Sequence, residues 1–284
     1  MSEEIGATLA FGVIAILLLI MGFRRGFFSL DGKLWEVPIR FVHLIGAFAI
    51  YFLASYLTTT LAVTLFKKQI MLHYVAYSSW LNFLVSFCIF LFLAIYMSFL
   101  PRWVAKGILR REGESHTFSD NIWAALYAWI LAFPLVLFLS QVLELVIYKI
   151  FKVTQLPDQI AVKFLKSTFD NPVYFTLAVI SIIVLAPLIE ETLFRGFLQT
   201  FIRKHLGSKQ AIVITSFCFS LFHYSAGQGL GNISIIVSLF VLSLFIGFLY
   251  EKQGSLFAPM VLHGSFNAVS VVNLYLFGGF TTGL

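Results

Sequence analysis

Charge is scarce in this 284-residue chain. Asp, Glu, Lys and Arg make up 11% of it, hydrophobic residues 60%, and mean hydropathy is +0.94. An average soluble protein carries about 25% charged residues, so this composition argues against a water-soluble globule. Cysteine is nearly absent. Cys88 and Cys218 both sit inside apolar runs, which excludes a disulfide framework and a cysteine-based metal site. No internal repeat and no low-complexity tract is found. A cleavable signal is not expected either, because residues 5–23 are long enough to span and are followed by Arg24 and Arg25.

What is present is a series of apolar runs of about 20 residues, the length of a transmembrane helix. The expected fold class is all-α, a polytopic integral membrane protein of about eight spans. They are read at 5–23, 41–66, 78–100, 122–148, 173–194, 209–223, 233–250 and 255–277. The chain divides into N-terminal helices, 1–150, and a core, 151–284. With both termini outside, the inner connections hold thirteen Lys and Arg and the outer ones six. That asymmetry is the positive-inside rule, and it accounts for the net charge of +6 without a nucleic-acid partner.

Among the connections, 24–40 is expected to rest Trp35 and Pro38 at the interface, and 101–121 is the main break in the chain. Segment 151–171 reads as an amphipathic surface helix, with Ile160, Val162, Phe164 and Leu165 among Lys163 and Lys166. Glu144, near Lys149, reads as a snorkelling interfacial acid. The glycine-rich connection Ser225 to Asn232 lacks the ending of a phosphate cradle and reads as a tight, mobile turn.

The exception to the avoidance of charge is the stretch from Ala186 to Gly196, which contains Glu190, Glu191 and Arg195. An ionisable group at membrane depth is costly and usually has a partner or a task. Glu191 and Arg195 are four apart and can pair on one helix face. Glu190 points elsewhere and is left over. Two further spans carry polar faces: Phe219 with His223, and His263 with Asn267, each pair four apart. At ~1.5 Å per residue, His263 is expected about 12 Å from the inner side, Glu190 about 5–10 Å and His223 about 20 Å.

Each group has a bland account: a histidine bonded to a carbonyl, an asparagine gluing helices, a charged helix end at the membrane surface. All three accounts would have to hold at once in the last third of one chain. His43, His73, His116 and His205 fall in loops or at span ends and are read as bland. An acid and a histidine in a partly dry pocket suit general-base activation of water, and a second histidine with an amide suits an oxyanion. A glutamate with two histidines is also a legitimate zinc set, which would use Glu190, His223 and His263. The His-Glu-x-x-His helix of common metalloproteases is absent.

Taken in order, Glu190-Glu191-x-x-x-Arg195, Phe219-x-x-x-His223 and His263-x-x-x-Asn267 resemble the motifs of the CPBP intramembrane endopeptidases. This family, also called Abi, includes the CaaX prenyl proteases of the Rce1 type. The lead-in from Tyr250 to Pro259 is similar too, and the resemblance covers about 173–275. It implies a helical membrane protease with a cytoplasm-facing cavity. In that reading Glu190 and His223 activate water, His263 and Asn267 form the oxyanion site, and Glu191, Arg195 and Phe219 support them. No cofactor is expected, with zinc the alternative. The implied partners are the bilayer and a protein or peptide substrate, lipidated or membrane-embedded. Rival readings are a non-catalytic scaffold or bacteriocin-immunity protein of the same fold, and a transporter, which would show polar spans in both halves.

Overall fold

The computed structural model describes residues 2–30, 37–111, 116–153 and 156–278. Trp35 lies outside the described residues; Pro38 is exposed between buried Val37 and Ile39. The described chain is helical. α1 is Ser2–Arg24, α2 Phe41–Leu72, α3 Tyr74–Phe99, α4 Arg102–Leu109, α5 Phe118–Phe151 and α6 Ile160–Ser167. α7 runs continuously through Pro172–Leu206, followed by α8 Ser208–Phe222, α9 Gly231–Gln253 and α10 Phe257–Phe277. Seven of these (α1, α2, α3, α5, α7, α9 and α10) are long and apolar enough to cross a membrane. The sixth expected span, 209–223, is α8, whose 15 residues, about 22 Å, fall short of a hydrocarbon core of about 30 Å. The protein is an all-α polytopic membrane protein.

Two expected connections are helix instead. α2 continues past residue 66 to Leu72, kinked where Phe66 leaves helical geometry, and only His73 separates it from α3. The span expected to end at 194 continues to Leu206, where Gly207 at φ +85° stops it. Lys, Arg and His in that final turn complement the helix dipole, so a polar ending stays helical.

The helices pack as two groups joined through α9 and α10. α2 and α3 pair, and α3 lies along α7; α1 lies on α5, which packs against α9 and α10. One apolar core joins α2, α3, α4 and α7 around Phe194, Phe197 and Phe219. A second joins α1, α5, α9 and α10 around Leu131, Leu242 and Leu262. The apolar residues left exposed on α1, α2 and α3 form the lipid-facing surface of such a protein.

α7 is not regular. Ser181–Leu185 and Thr192–Gln199 are π-helical, flanking an α-helical Ala186–Glu191. Pro187 explains the first widening, because a proline ring clashes with the carbonyl four residues back, here Ile183. In the wider turn Ala186 N–H bonds Ser181 O, which leaves the Ile182 carbonyl free. π-turns of this kind recur at functional sites.

Several sequence expectations need correction. Glu144 is not a snorkelling acid: it is buried, and Ser140 Oγ donates to it at 3.4 Å beside Ser234. Arg111, Arg195 and Arg203, counted as loop cations, are all buried. Arg111 and Arg203 converge on Glu251 at 3.0 and 3.4 Å, where Gln199 and Ser208 also donate. The 225–232 connection is tied down by Asn232, whose side chain bonds both the N–H and the C=O of Ser225. α6 lies at the surface as expected, Leu165 buried and Lys166 paired with Asp158.

Candidate active site

His223 sits just past the end of α8, and its position follows from how that helix stops. Its backbone N–H bonds Ser220 O rather than Phe219 O, so the Phe219 carbonyl is one of the orphans of a helix C-terminus. The His223 ring fills that vacancy, with Nδ1 2.9 Å from Phe219 O. A carbonyl only accepts, so Nδ1 carries the proton and a neutral ring keeps its lone pair on Nε2. That Nε2 lies 3.7 Å from Glu190 Oε2. The Oε2 atom is buried without a hydrogen-bond partner, although the two side chains retain 18% (Glu190) and 30% (His223) of their exposure. They are the accessible part of the site.

Glu190 and His223 meet even though their expected depths differed. The correction is in α7: it runs to Leu206, placing Glu190 about 24 Å along the helix from that end, close to the depth expected of His223. Tyr51 of α2 flanks the pair, packing on Phe222 at 5.4 Å with its hydroxyl within electrostatic range of Glu190.

Glu191 faces the other way and is fully buried with Arg195. Arg195 Nη1 stands 3.2 and 3.0 Å from the two carboxylate oxygens. Its Nη2 donates to Ser243 O at 3.1 Å and Ser243 Oγ at 2.6 Å, across to α9. Phe219 is the hub of this layer. Its ring lies 4.7 Å beneath the Arg195 guanidinium, 4.8 Å from the His223 ring and 5.9 Å from the His263 ring. Phe219 thus contacts His223, four residues on, with the rings tilted by 46°, and it reaches two more site residues.

α10 brings the remaining pair. Gly264 lets it approach α7 closely: a Cβ there would stand 2.9 Å from the Ile183 carbonyl, the one that Pro187 cannot bond. One residue back, His263 Nδ1 meets Glu191 Oε1 at 2.7 Å. One turn on, Asn267 Nδ2 donates to the freed Ile182 carbonyl at 2.8 Å. The π-turn and Asn267 thus account for each other.

Six of the seven sequence-predicted residues are joined by contacts, in two layers. Glu190 and His223 form the accessible one; Glu191, Arg195 and His263 form the buried one, with Phe219 between them and Asn267 at the α7 wall. Among the described residues no group of three or more His, Cys, Asp or Glu side chains is arranged to hold a metal ion. Ser243 and Tyr51 carried no sequence signal, being ordinary members of apolar runs.

The span of the motifs coincides with a known family. Residues 172–269 match the model of the Rce1-like family, type II CAAX prenyl endopeptidases. The chain carries an Rce1-like domain. That domain opens at the first residue of α7 and contains every residue of both layers, Ser243 included; α1 to α6 precede it. No curated protein and no solved structure gives a significant match.

Proposed function

We propose that the Rce1-like domain is the catalytic unit of an intramembrane endopeptidase that hydrolyses peptide bonds with a water activated by Glu190 and His223. One observation carries the reading: two proton acceptors, Glu190 Oε2 and His223 Nε2, stand 3.7 Å apart in the partly accessible layer. That separation is too long for a good direct hydrogen bond. It suits one water about 2.8 Å from each, giving one hydrogen to each acceptor. Such a water has its lone pairs directed outward, toward a scissile carbonyl.

The step balances. The water oxygen bonds the carbonyl carbon while Glu190 takes the proton. The oxyanion is received by the second amide hydrogen of Asn267, one turn along α10 from His263. The C–N bond then breaks, and Glu190 returns the proton to the leaving amine. No metal is required by this scheme.

The substrate class inferred is a membrane-associated protein or peptide, with a lipidated C-terminal CaaX segment the first choice on the family match. Both termini are placed outside and the site's approach on the cytoplasmic side. Removing the buried Arg111, Arg195 and Arg203 from the inner connections leaves their excess of Lys and Arg in place.

The test compares protein termini in cells expressing wild type or Glu190→Gln at equal levels, alongside cleavage of a farnesylated CaaX peptide by the purified proteins. New termini with wild type alone support the reading. Identical termini, with no peptide cleavage, would turn it toward a non-catalytic scaffold or immunity protein.

A further inference from the structure

The buried layer contains more ordered polar contacts than an ion pair needs. Arg195 is fully buried, yet it is fixed on three sides: by Ser243 through both the hydroxyl and the carbonyl, by the Phe219 ring beneath it, and by both oxygens of Glu191. A carboxylate held against a guanidinium is ionised and can only accept hydrogen bonds. His263 Nδ1, 2.7 Å from that carboxylate, must therefore carry a proton. Among the described residues this is the only hydrogen bond the His263 side chain makes, so Nε2 is the nitrogen left for a substrate.

We propose that Ser243 and Phe219 are positioning residues of the site, acting through Arg195 and Glu191 to hold His263 as the Nδ1–H tautomer with Nε2 free. The relay crosses three helices: Ser243 on α9, Arg195 and Glu191 on α7, His263 on α10. Phe219 closes it from α8 and touches His223 as well, so one ring keeps the two layers in register. A serine hydroxyl in the middle of a membrane helix, wholly buried, accepts from that guanidinium at 2.6 Å. Only the activity readouts below rest on the hydrolytic reading.

The experiment uses the full chain in lipid nanodiscs with ¹⁵N-labelled histidine, the His263 signals being assigned by their loss in His263→Gln. Wild type shows a proton on Nδ1 of His263. Glu191→Gln, whose amide can donate where the carboxylate accepts, moves the proton to Nε2 and lowers kcat on a farnesylated CaaX peptide by about 10²–10⁴-fold. Ser243→Ala shifts the His263 signals and lowers kcat roughly tenfold at unchanged KM. Ser243→Thr, which keeps the hydroxyl, restores both. An Nε2–H tautomer in wild type overturns the relay. So does a Ser243→Ala protein whose His263 signals and kcat equal those of wild type. If wild type fails to cleave the peptide while the tautomer responds as stated, the relay stands and it is the hydrolytic reading that falls.

Discussion

His263 Nδ1 pairs with Glu191 Oε1, at 2.7 Å, and not with the adjacent Glu190. Two neighbouring carboxylates on one helix thereby acquire different work. The helical turn between them sends one into a layer sealed by Phe194, Phe197 and Phe219, and leaves the other beside His223 in the accessible layer.

Glu190→Gln keeps the size of the side chain and removes its basicity. Because Oε2 has no protein partner to lose, the variant should unfold at the wild-type temperature in detergent. Its hydrolysis should fall by about 10²–10⁴-fold, the usual contribution of a general base. Thermal unfolding and peptide cleavage on one preparation check both halves; full activity would remove Glu190 from the mechanism.

Glu191→Ala leaves Arg195 buried with its counter-charge gone. Breaking a buried pair on one side costs about 3–5 kcal/mol, so this variant should lose stability as well as activity. Reversible unfolding in mixed micelles measures the loss. A value no larger than that of Glu190→Gln would mean that the pair is not load-sharing in the fold.

Gly264→Ala places a methyl group 2.9 Å from the backbone oxygen of Ile183. Backbone cannot swing aside as a side chain can, so α10 must shift, taking His263 and Asn267 with it. Overpacking of this kind costs about 1–3 kcal/mol, and a displacement of about 1 Å can lower turnover 10²-fold. Unfolding temperature and kcat should both drop; unchanged kcat would show that the helix contact does not set the site.

Asn267→Ala strips the Ile182 carbonyl of its partner in the π-turn. An unsatisfied buried acceptor costs about 1–3 kcal/mol. Hydrogen exchange at the Ala186 and Glu190 amides should quicken as the turn loosens, while exchange in α5 stays as in wild type.

Glu251→Gln tests the charge cluster away from the site. Arg111 and Arg203 would share a neutral amide in place of a carboxylate at 3.0 and 3.4 Å. A loss of several kcal/mol is expected on the scale of buried pairs. Replacing Arg203 by Met in the same chain should recover part of it, because one arginine then faces the polar group in place of two. An unaltered unfolding temperature in Glu251→Gln would show the cluster to be solvated.

Composition and run length were sufficient for the class of fold. An apolar chain with charge confined to breaks can satisfy its backbone in lipid only as helices, so a polytopic bundle was legible from residue content. The pairing of Glu191 with Arg195 and the contact of Phe219 with His223 were legible for a similar reason: four residues on a helix are always neighbours. Where contacts are local, spacing is geometry.

The rest depended on how helices end and meet. Polar residues near 195–206 mimic a loop in sequence, yet they are helix, because Arg195, Gln199 and Arg203 find partners on α9 that make their burial tolerable. That extension set the depth of Glu190. Which histidine meets which glutamate was decided by a proline that widens one turn, a glycine that lets α10 close on it, and a helix that stops at His223. Those are contacts between residues tens of positions apart, and only the packed chain brings them within bonding distance.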